Sequence, residues 1–249
     1  EDRPGDCADE GDALRPARRE AADRFEQTHP NARILISTGP TNALARQILL
    51  GAPADILVSA NDVRTDTVVD QFPRSQSIAL TGNRLVLITP KQDIAGVSNP
   101  ADLAAPNVTR IAIAGERVPA GVYSQQSLRW LGIFDTLVAE NRLVRGRDVR
   151  SVLAYVHRAE VDAGIVYATD ARLSDQVRIV CPLAPESHDL IVYSATLMMK
   201  PSSSQTNGRR EAHACFKSLQ SADVKSLFDQ HGFSHVAADQ RSSLQITGH

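Results

Sequence analysis

Three junctions in this chain join a helix-like run to what precedes it through residues suited to holding an anion. Gly39-Pro40-Thr41-Asn42 precedes the helix-like Ala43–Leu50, and Thr41 brings a hydroxyl. Val118-Pro119-Ala120-Gly121 follows the strand-like Arg110–Ala114, and its small Ala120 and Gly121 would let a ligand approach the backbone closely. Asp148-Val149-Arg150 opens a further helix, with Asp148 as cap and the Val149 amide in the first turn. Helix N-termini leave N–H groups unpaired and carry partial positive charge. Several such ends converging can hold an oxyanion without Lys or Arg. Tyr167, at the end of the strand-like Ala163–Tyr167, adds a phenol that could donate to an oxygen. Ligands of open α/β sheets sit beyond the carboxyl ends of strands. Each feature also has a plainer role: Thr41 as a helix cap, Tyr167 as a core residue with its hydroxyl at the edge. Taken alone, they support an α/β protein with a ligand site and no more.

Other reactive residues point away from catalysis. Ser187-His188-Asp189 has the composition of a hydrolase triad, but three consecutive residues cannot converge as that mechanism requires. No G-x-S-x-G elbow accompanies it. The remaining histidines show no metal-ligand spacing beyond the loose pair His231 and His235, expected to be solvated near the chain end. Cys7, Cys181 and Cys215 form no CxxC, which argues against a zinc or redox site and favours three unpaired thiols over one disulfide and a free thiol. Asp55 and Asp170 sit beside strand ends and read as caps rather than acid–base groups. The basic run 142–150 reads as a solvated loop leading into the third junction.

The elements that would position these residues alternate in type. Strand-like runs are expected at 34–36, 55–59, 84–89, 110–114, 163–167, 177–181 and 190–193. Helix-like runs are expected at 43–50, 99–103, 120–131, 148–159, 212–219 and 222–230. That alternation implies α/β layering with largely parallel sheets. Residues 17–25 could form a solvated helix, and no buried strand is legible before it. The 249 residues suit one large domain or two lobes of about 120. Apolar residues at 42% and charged residues at 22% are ordinary for a globular protein. The net charge of −2 argues against a nucleic-acid partner and leaves any anion to be held by local dipoles. No apolar run approaches the roughly 20 residues needed to span a bilayer, and no signal peptide is visible at Glu1-Asp2-Arg3-Pro4.

Longer strings carry a family resemblance. ALARQILLGAPAD (43–55) running into ILVSAND, NRLVLITP (83–90), VPAGVY (118–123), GIVYATD (164–170), PESHDLIVY (185–193) and LFDQHGF (227–233) occur in order. Over about residues 25–235 the chain resembles the periplasmic molybdate-binding proteins of ABC-type uptake systems. The resemblance implies a two-lobed type II periplasmic-binding-protein fold with a ligand cleft between lobes. Residues 1–81 and 194–249 would form lobe 1, and 82–193 lobe 2. It further implies that molybdate or tungstate is bound by neutral donors: the Thr41 hydroxyl, the amides of Ala120 and Val149, and the Tyr167 hydroxyl. Thr41 stands where the family has a serine. Capture would proceed by closure, with delivery to a membrane permease. A periplasmic monomer with no cofactor, no direct metal ligand and no catalytic activity is expected.

One family position does not carry over. Counting back from Phe25 places Ala13 where a serine of an Ala-Ala-Ser-Leu turn belongs. That leaves two further readings: a ligand-sensing regulatory module of the same fold, or the impaired product of a gene with a disrupted N-terminus. No helix-turn-helix pattern precedes the fold to favour the regulatory module.

Overall fold

The computed structural model describes residues 14–39, 41–59, 66–72, 75–199 and 206–236. Ala13 and Cys7, on which two of the expectations fell, lie outside them. By internal contacts the chain divides into two units, Glu1–Gly82 with Val192–His249, and Asn83–Ile191. Both are mixed α/β, each built around its own sheet.

The first unit begins with helix α1 (Arg15–Thr28). α2 (Thr41–Leu49), strand β1 (Ile56–Ser59), α3 (Asp66–Gln71) and β2 (Gln76–Gly82) follow. The expected solvated helix at 17–25 is instead a packed one. Ala17, Ala21, Ala22 and Phe25 recur at helical spacing on a buried face, and its many charges occupy the opposite side. The expected strand at 34–36 is extended but joins no sheet. Leu35 is 85% exposed, and the Ile34 amide donates to the Glu26 carboxylate (2.5 Å) rather than to a neighbouring strand.

The chain then builds the second unit. It runs through β3 (Leu85–Pro90), a 3-10 turn at Pro100–Ala104, β4 (Ile111–Ala114), α4 (Pro119–Trp130) and α5 (Phe134–Ala139). It continues through β5 (Leu143–Gly146), α6 (Val149–His157), β6 (Ala163–Tyr167), α7 (Ala168–Ala171) and β7 (Val177–Pro182). Its sheet has the order β5-β4-β6-β3-β7. β4 is parallel to both β5 and β6, whereas β3 is antiparallel to β6 and to β7. Alternate residues of β3, β4 and β6 enter two separate cores. Leu85, Leu87, Ile111, Ile113 and Ile165 pack with Leu128, Phe134 and Leu137 on one face. Val86, Ile88, Ala112, Ala114 and Val166 pack with Val149, Val152 and Val156 on the other. Burial on both faces explains why these strands read as unbroken apolar runs.

The chain returns to the first unit with β8 (Val192–Leu197), α8 (Thr206–Ser218) and α9 (Ala222–Gln230). β8 is central in the order β1-β8-β2, antiparallel to both neighbours and buried throughout. Tyr193, Ala195 and Leu197 meet Ala17, Phe216, Leu227 and Phe228 in one core. The expectation of largely parallel sheets therefore fails for this unit and holds only for β5-β4-β6 of the other. A central strand entering from the second unit can pair antiparallel with both neighbours, which period and turn signals along the chain do not reveal.

The basic run 142–150 is likewise no solvated loop. It contains β5, and Arg142 ahead of it is buried. The Arg142 guanidinium donates to the carbonyls of Leu103 (2.7 Å) and Ala105 (2.8 Å), and to that of Val108. It thereby closes the C-terminal end of the 3-10 turn.

Candidate functional site

Because β4, β5 and β6 are adjacent and parallel, their carboxyl ends lie along one edge of the sheet. Neighbouring strands stand about 4.8 Å apart. Three of the four residues expected to bind the anion follow these ends. Ala120 follows β4, Val149 follows β5, and Tyr167 is the last residue of β6. The ladder persists beyond the strands: the Gly115 amide donates to the Gly146 carbonyl at 2.8 Å, tying the first two turns together. Thr41 stands in the other unit, as the first residue of α2.

The first turn of α4 isolates one amide. Pro119 at its first position has no N–H. The Gly121 and Val122 amides both donate to the Val118 carbonyl, at 2.8 and 3.0 Å. Val118 supplies no side-chain cap. The Ala120 N–H is thus the one in this turn that the helix's own ladder leaves over. Ala120 as a whole is 1% exposed, and its methyl group packs into the core, so the amide is the only donor the residue has. Gly121 has a different role from the one its size suggested. A Cβ there would lie 2.5 Å from the Ala114 carbonyl oxygen and closer still to that of Gly115. The missing side chain lets α4 start hard against the end of β4 rather than admitting a ligand.

At α6, Asp148 is extended and caps the helix as expected. Its carboxylate accepts from the Ser151 amide (2.7 Å) and the Ser151 hydroxyl (2.7 Å). Burial opposes ionisation, but these bonds and Arg147 win and hold the Asp148 carboxyl below the usual range. The cap reaches the third helical amide and leaves those of Val149 and Arg150 in the first turn. The Val149 side chain belongs to the core, as that of Ala120 does. Gly146 just ahead admits this close turn, since a Cβ there would meet Val152 at 2.9 Å.

Tyr167 is half-buried and packs against both cores of its unit. The turn after it is fastened to the residues that lead into β3: the Ala168 amide donates to the Arg84 carbonyl (2.9 Å), and Asn83 donates to the Thr169 hydroxyl (3.0 Å). Asp170, expected to be a cap, is not one. It is 1% exposed, and neither carboxylate oxygen has a hydrogen-bond donor. Arg150 Nε lies 4.0 Å from Oδ1. Burial pushes its pKa up to about 6, against the pull of Arg150 and with a further push from Asp148. No spacing rule marks Asp170 in the sequence, because its burial depends on α6 folding over it.

The triad-like residues do not assemble. The Ser187 hydroxyl pairs with that of Ser127 (2.8 Å) and donates to the Ala184 carbonyl (2.6 Å). The Asp189 carboxylate accepts from Gln126 (2.6 Å), and His188 Nδ1 faces the Asp189 carbonyl (2.7 Å). His231 and His235 do not form a pair either: each faces its own carboxylate, Glu20 at 3.3 Å and Asp229 at 2.8 Å. Among the described residues no group of three His, Cys, Asp or Glu side chains could hold a metal ion. Cys181 and Cys215 are free thiols. No described helix is long and apolar enough to cross a membrane.

Comparison with known proteins bears on the family and the fold. Residues 11–234 match the model of a family described as bacterial extracellular solute-binding protein. The match begins ahead of residue 25, where the resemblance was first legible. YvgL of Bacillus subtilis, an inferred ABC transporter substrate-binding lipoprotein, is 35% identical over 212 residues, 84% of this chain and 78% of its own length. The molybdate-binding protein ModA of Haemophilus influenzae is 31% identical over 231 residues, 89% of this chain and 87% of its own. Among solved structures, the substrate-binding domain of an inferred molybdenum ABC transporter from Clostridium difficile matches with a TM-score of 0.80 at 26% identity. That match covers 91% of this chain and 96% of the other. These are two-lobed, non-enzymatic transport components, and this chain belongs to the family of bacterial extracellular solute-binding proteins.

Proposed function

We propose that this chain binds molybdate or tungstate and delivers it to the membrane permease of an ABC transporter. The observation that carries the reading is the placement of neutral donors after three adjacent parallel strands. The Ala120 amide, the Val149 amide and the Tyr167 hydroxyl are the proposed donors of the second unit, and Thr41 is the proposed donor of the first. Helix N-terminal dipoles supply the positive potential that a net charge of −2 does not. Donors fixed by backbone geometry discriminate by size. An anion with bonds shorter than Mo–O leaves some donors unpaired, each at about 1–3 kcal/mol. The relatives named for molybdate support this choice of anion over others of the same charge. A periplasmic, monomeric carrier without a cofactor fits the extracellular family to which the chain belongs.

Isothermal titration with molybdate, tungstate and sulfate tests the reading. Submicromolar binding of the first two and none of sulfate is expected. Absence of binding to every one of the three anions overturns it.

A further inference from the structure

Asp170 is the most anomalous group in the second unit. Its carboxylate is 1% exposed, and neither oxygen receives a hydrogen bond. A buried charge without donors is expensive and persists where something depends on it. Its nearest countercharge is Arg150, with Nε 4.0 Å from Oδ1. That Nε is itself buried without a hydrogen-bond acceptor. The Arg150 side chain as a whole is 38% exposed, so its buried Nε lies beside Asp170 while the side chain is not enclosed.

The chain positions of the two residues give the pair its meaning. Arg150 directly follows Val149, in the first turn of α6. Asp170 lies three residues after Tyr167, in α7, which packs on α6. The pair therefore links α6, whose first residue is Val149, to α7, which directly follows Tyr167. Charged groups on the elements packed against α7 have partners of their own, and Arg172 at the end of α7 is also engaged. Asp148 is occupied by Ser151 and Arg147. On β7, Arg178 donates to Asp93 (2.6 Å) and to the Val97 carbonyl (2.9 Å). On α6, His157 faces the Ser174 hydroxyl (2.8 Å). β3 carries no ionisable side chain, and β6 carries only Tyr167.

We infer that Asp170 sets the selectivity of the anion site by tethering the Arg150 guanidinium, so that the anion meets neutral donors of fixed geometry only. The inference rests on the oxyanion-binding reading above. A free guanidinium beside Val149 would act differently from an amide. It carries full charge on a flexible stem and fits any oxyanion through its fork of donors. Sulfate, poorly matched to the fixed donors, would gain more from it than molybdate does. Asp170 is thus a positioning residue acting through Arg150. Protonating it, which burial brings within reach near pH 6, releases the same tether.

The test compares molybdate and sulfate affinities of the whole chain by titration calorimetry from pH 8 to pH 5. Asp170→Asn at pH 8 is expected to lower the preference for molybdate about tenfold or more, chiefly by strengthening sulfate. Asp170→Asn with Arg150→Gln is expected to restore the preference to within about threefold of the unaltered protein. The unaltered protein should lose preference as pH falls through about 6, and Arg150→Gln alone should flatten that dependence. A folded Asp170→Asn protein with unchanged preference overturns the inference, as does a loss that persists in the double variant. Should Asp170→Asn fail to fold, the pH dependence of Arg150→Gln decides, and a slope equal to that of the unaltered protein overturns it. Failure of the unaltered protein to bind either anion at pH 8 is a separate result. It removes the oxyanion-binding reading, and this inference with it.

Discussion

Two single residues, Gly121 and Asp170, carry opposite kinds of constraint. Gly121 is a steric one. A methyl group there would press into the backbone carbonyls of Ala114 and Gly115, which have little room to move because β4 is held between β5 and β6. Gly121→Ala should cost about 1–3 kcal/mol, as overpacking of a tight core does. It should also weaken anion binding by displacing the Ala120 amide. Urea unfolding read beside calorimetry checks both, and unchanged stability would place α4 farther from β4. Asp170 is an electrostatic constraint. Its pKa rises from 3.8 to about 6 on folding, with burial as the main cause. The folded protein then holds the proton more tightly than the unfolded chain does. The sign follows: ionised Asp170 lowers stability above pH 6, and the penalty fades as pH falls from 6 toward 4. At about 1.4 kcal/mol per pKa unit the penalty at pH 8 is of order 3 kcal/mol. Asp170→Asn should therefore raise the melting temperature at pH 8 and leave it nearly unchanged at pH 4. Equal shifts at both values would rule out ionisation as the source.

At the scale of elements, Arg142 shows how a charged side chain can serve as structure. Its guanidinium donates to the Leu103 and Ala105 carbonyls at the end of the 3-10 turn and to the Val108 carbonyl beyond it. Hydrogen bonds from a charged donor contribute about 1.5–3 kcal/mol each, and buried carbonyls left unpaired add a further penalty. Arg142→Met keeps the stem and removes the donors. It should destabilise the second unit by about 3 kcal/mol, with faster hydrogen exchange concentrated at 100–110. Uniform exchange across the unit would argue against a local role. The same residue marks the limit of reading elements from sequence. β6 and α9 were legible to their bounds, and the start of α6 to within one residue, because apolar period, caps and terminal breakers agree there. β5 was not, since Arg145 and the flanking arginines hide a strand whose apolar content is only Leu143-Val144. α1 was misread as solvated because its buried face is mostly alanine, a weak hydrophobic signal. The three junctions of the second unit that carry Ala120, Val149 and Tyr167 were legible through their residues. Their place along one edge of the sheet was not, because it depends on β4 lying between β5 and β6. The pairing of Arg150 with Asp170 was hidden for the same reason: it joins separate elements.

For the whole molecule, the consequence of the proposed site is a link between anion concentration and folding. The proposed donors are main-chain amides and hydroxyls presented by secondary structure, and unfolding disperses them. An anion that binds only the folded chain stabilises it by RT ln(1 + [L]/Kd), about 2.7 kcal/mol at one hundred times Kd. For a chain of this size each kcal/mol moves the melting temperature by roughly 2–4 °C. Molybdate or tungstate at that excess should raise it by about 5–10 °C. Sulfate at the same concentration should leave it within about a degree, because donors it fails to reach give no linkage. This comparison also separates specific capture from general ionic effects. Those would follow anion charge, which is the same for all three, whereas capture by fixed donors follows bond length. A rise of equal size with sulfate would mean that the site does not discriminate, and the role proposed for Asp170 would then have nothing to protect.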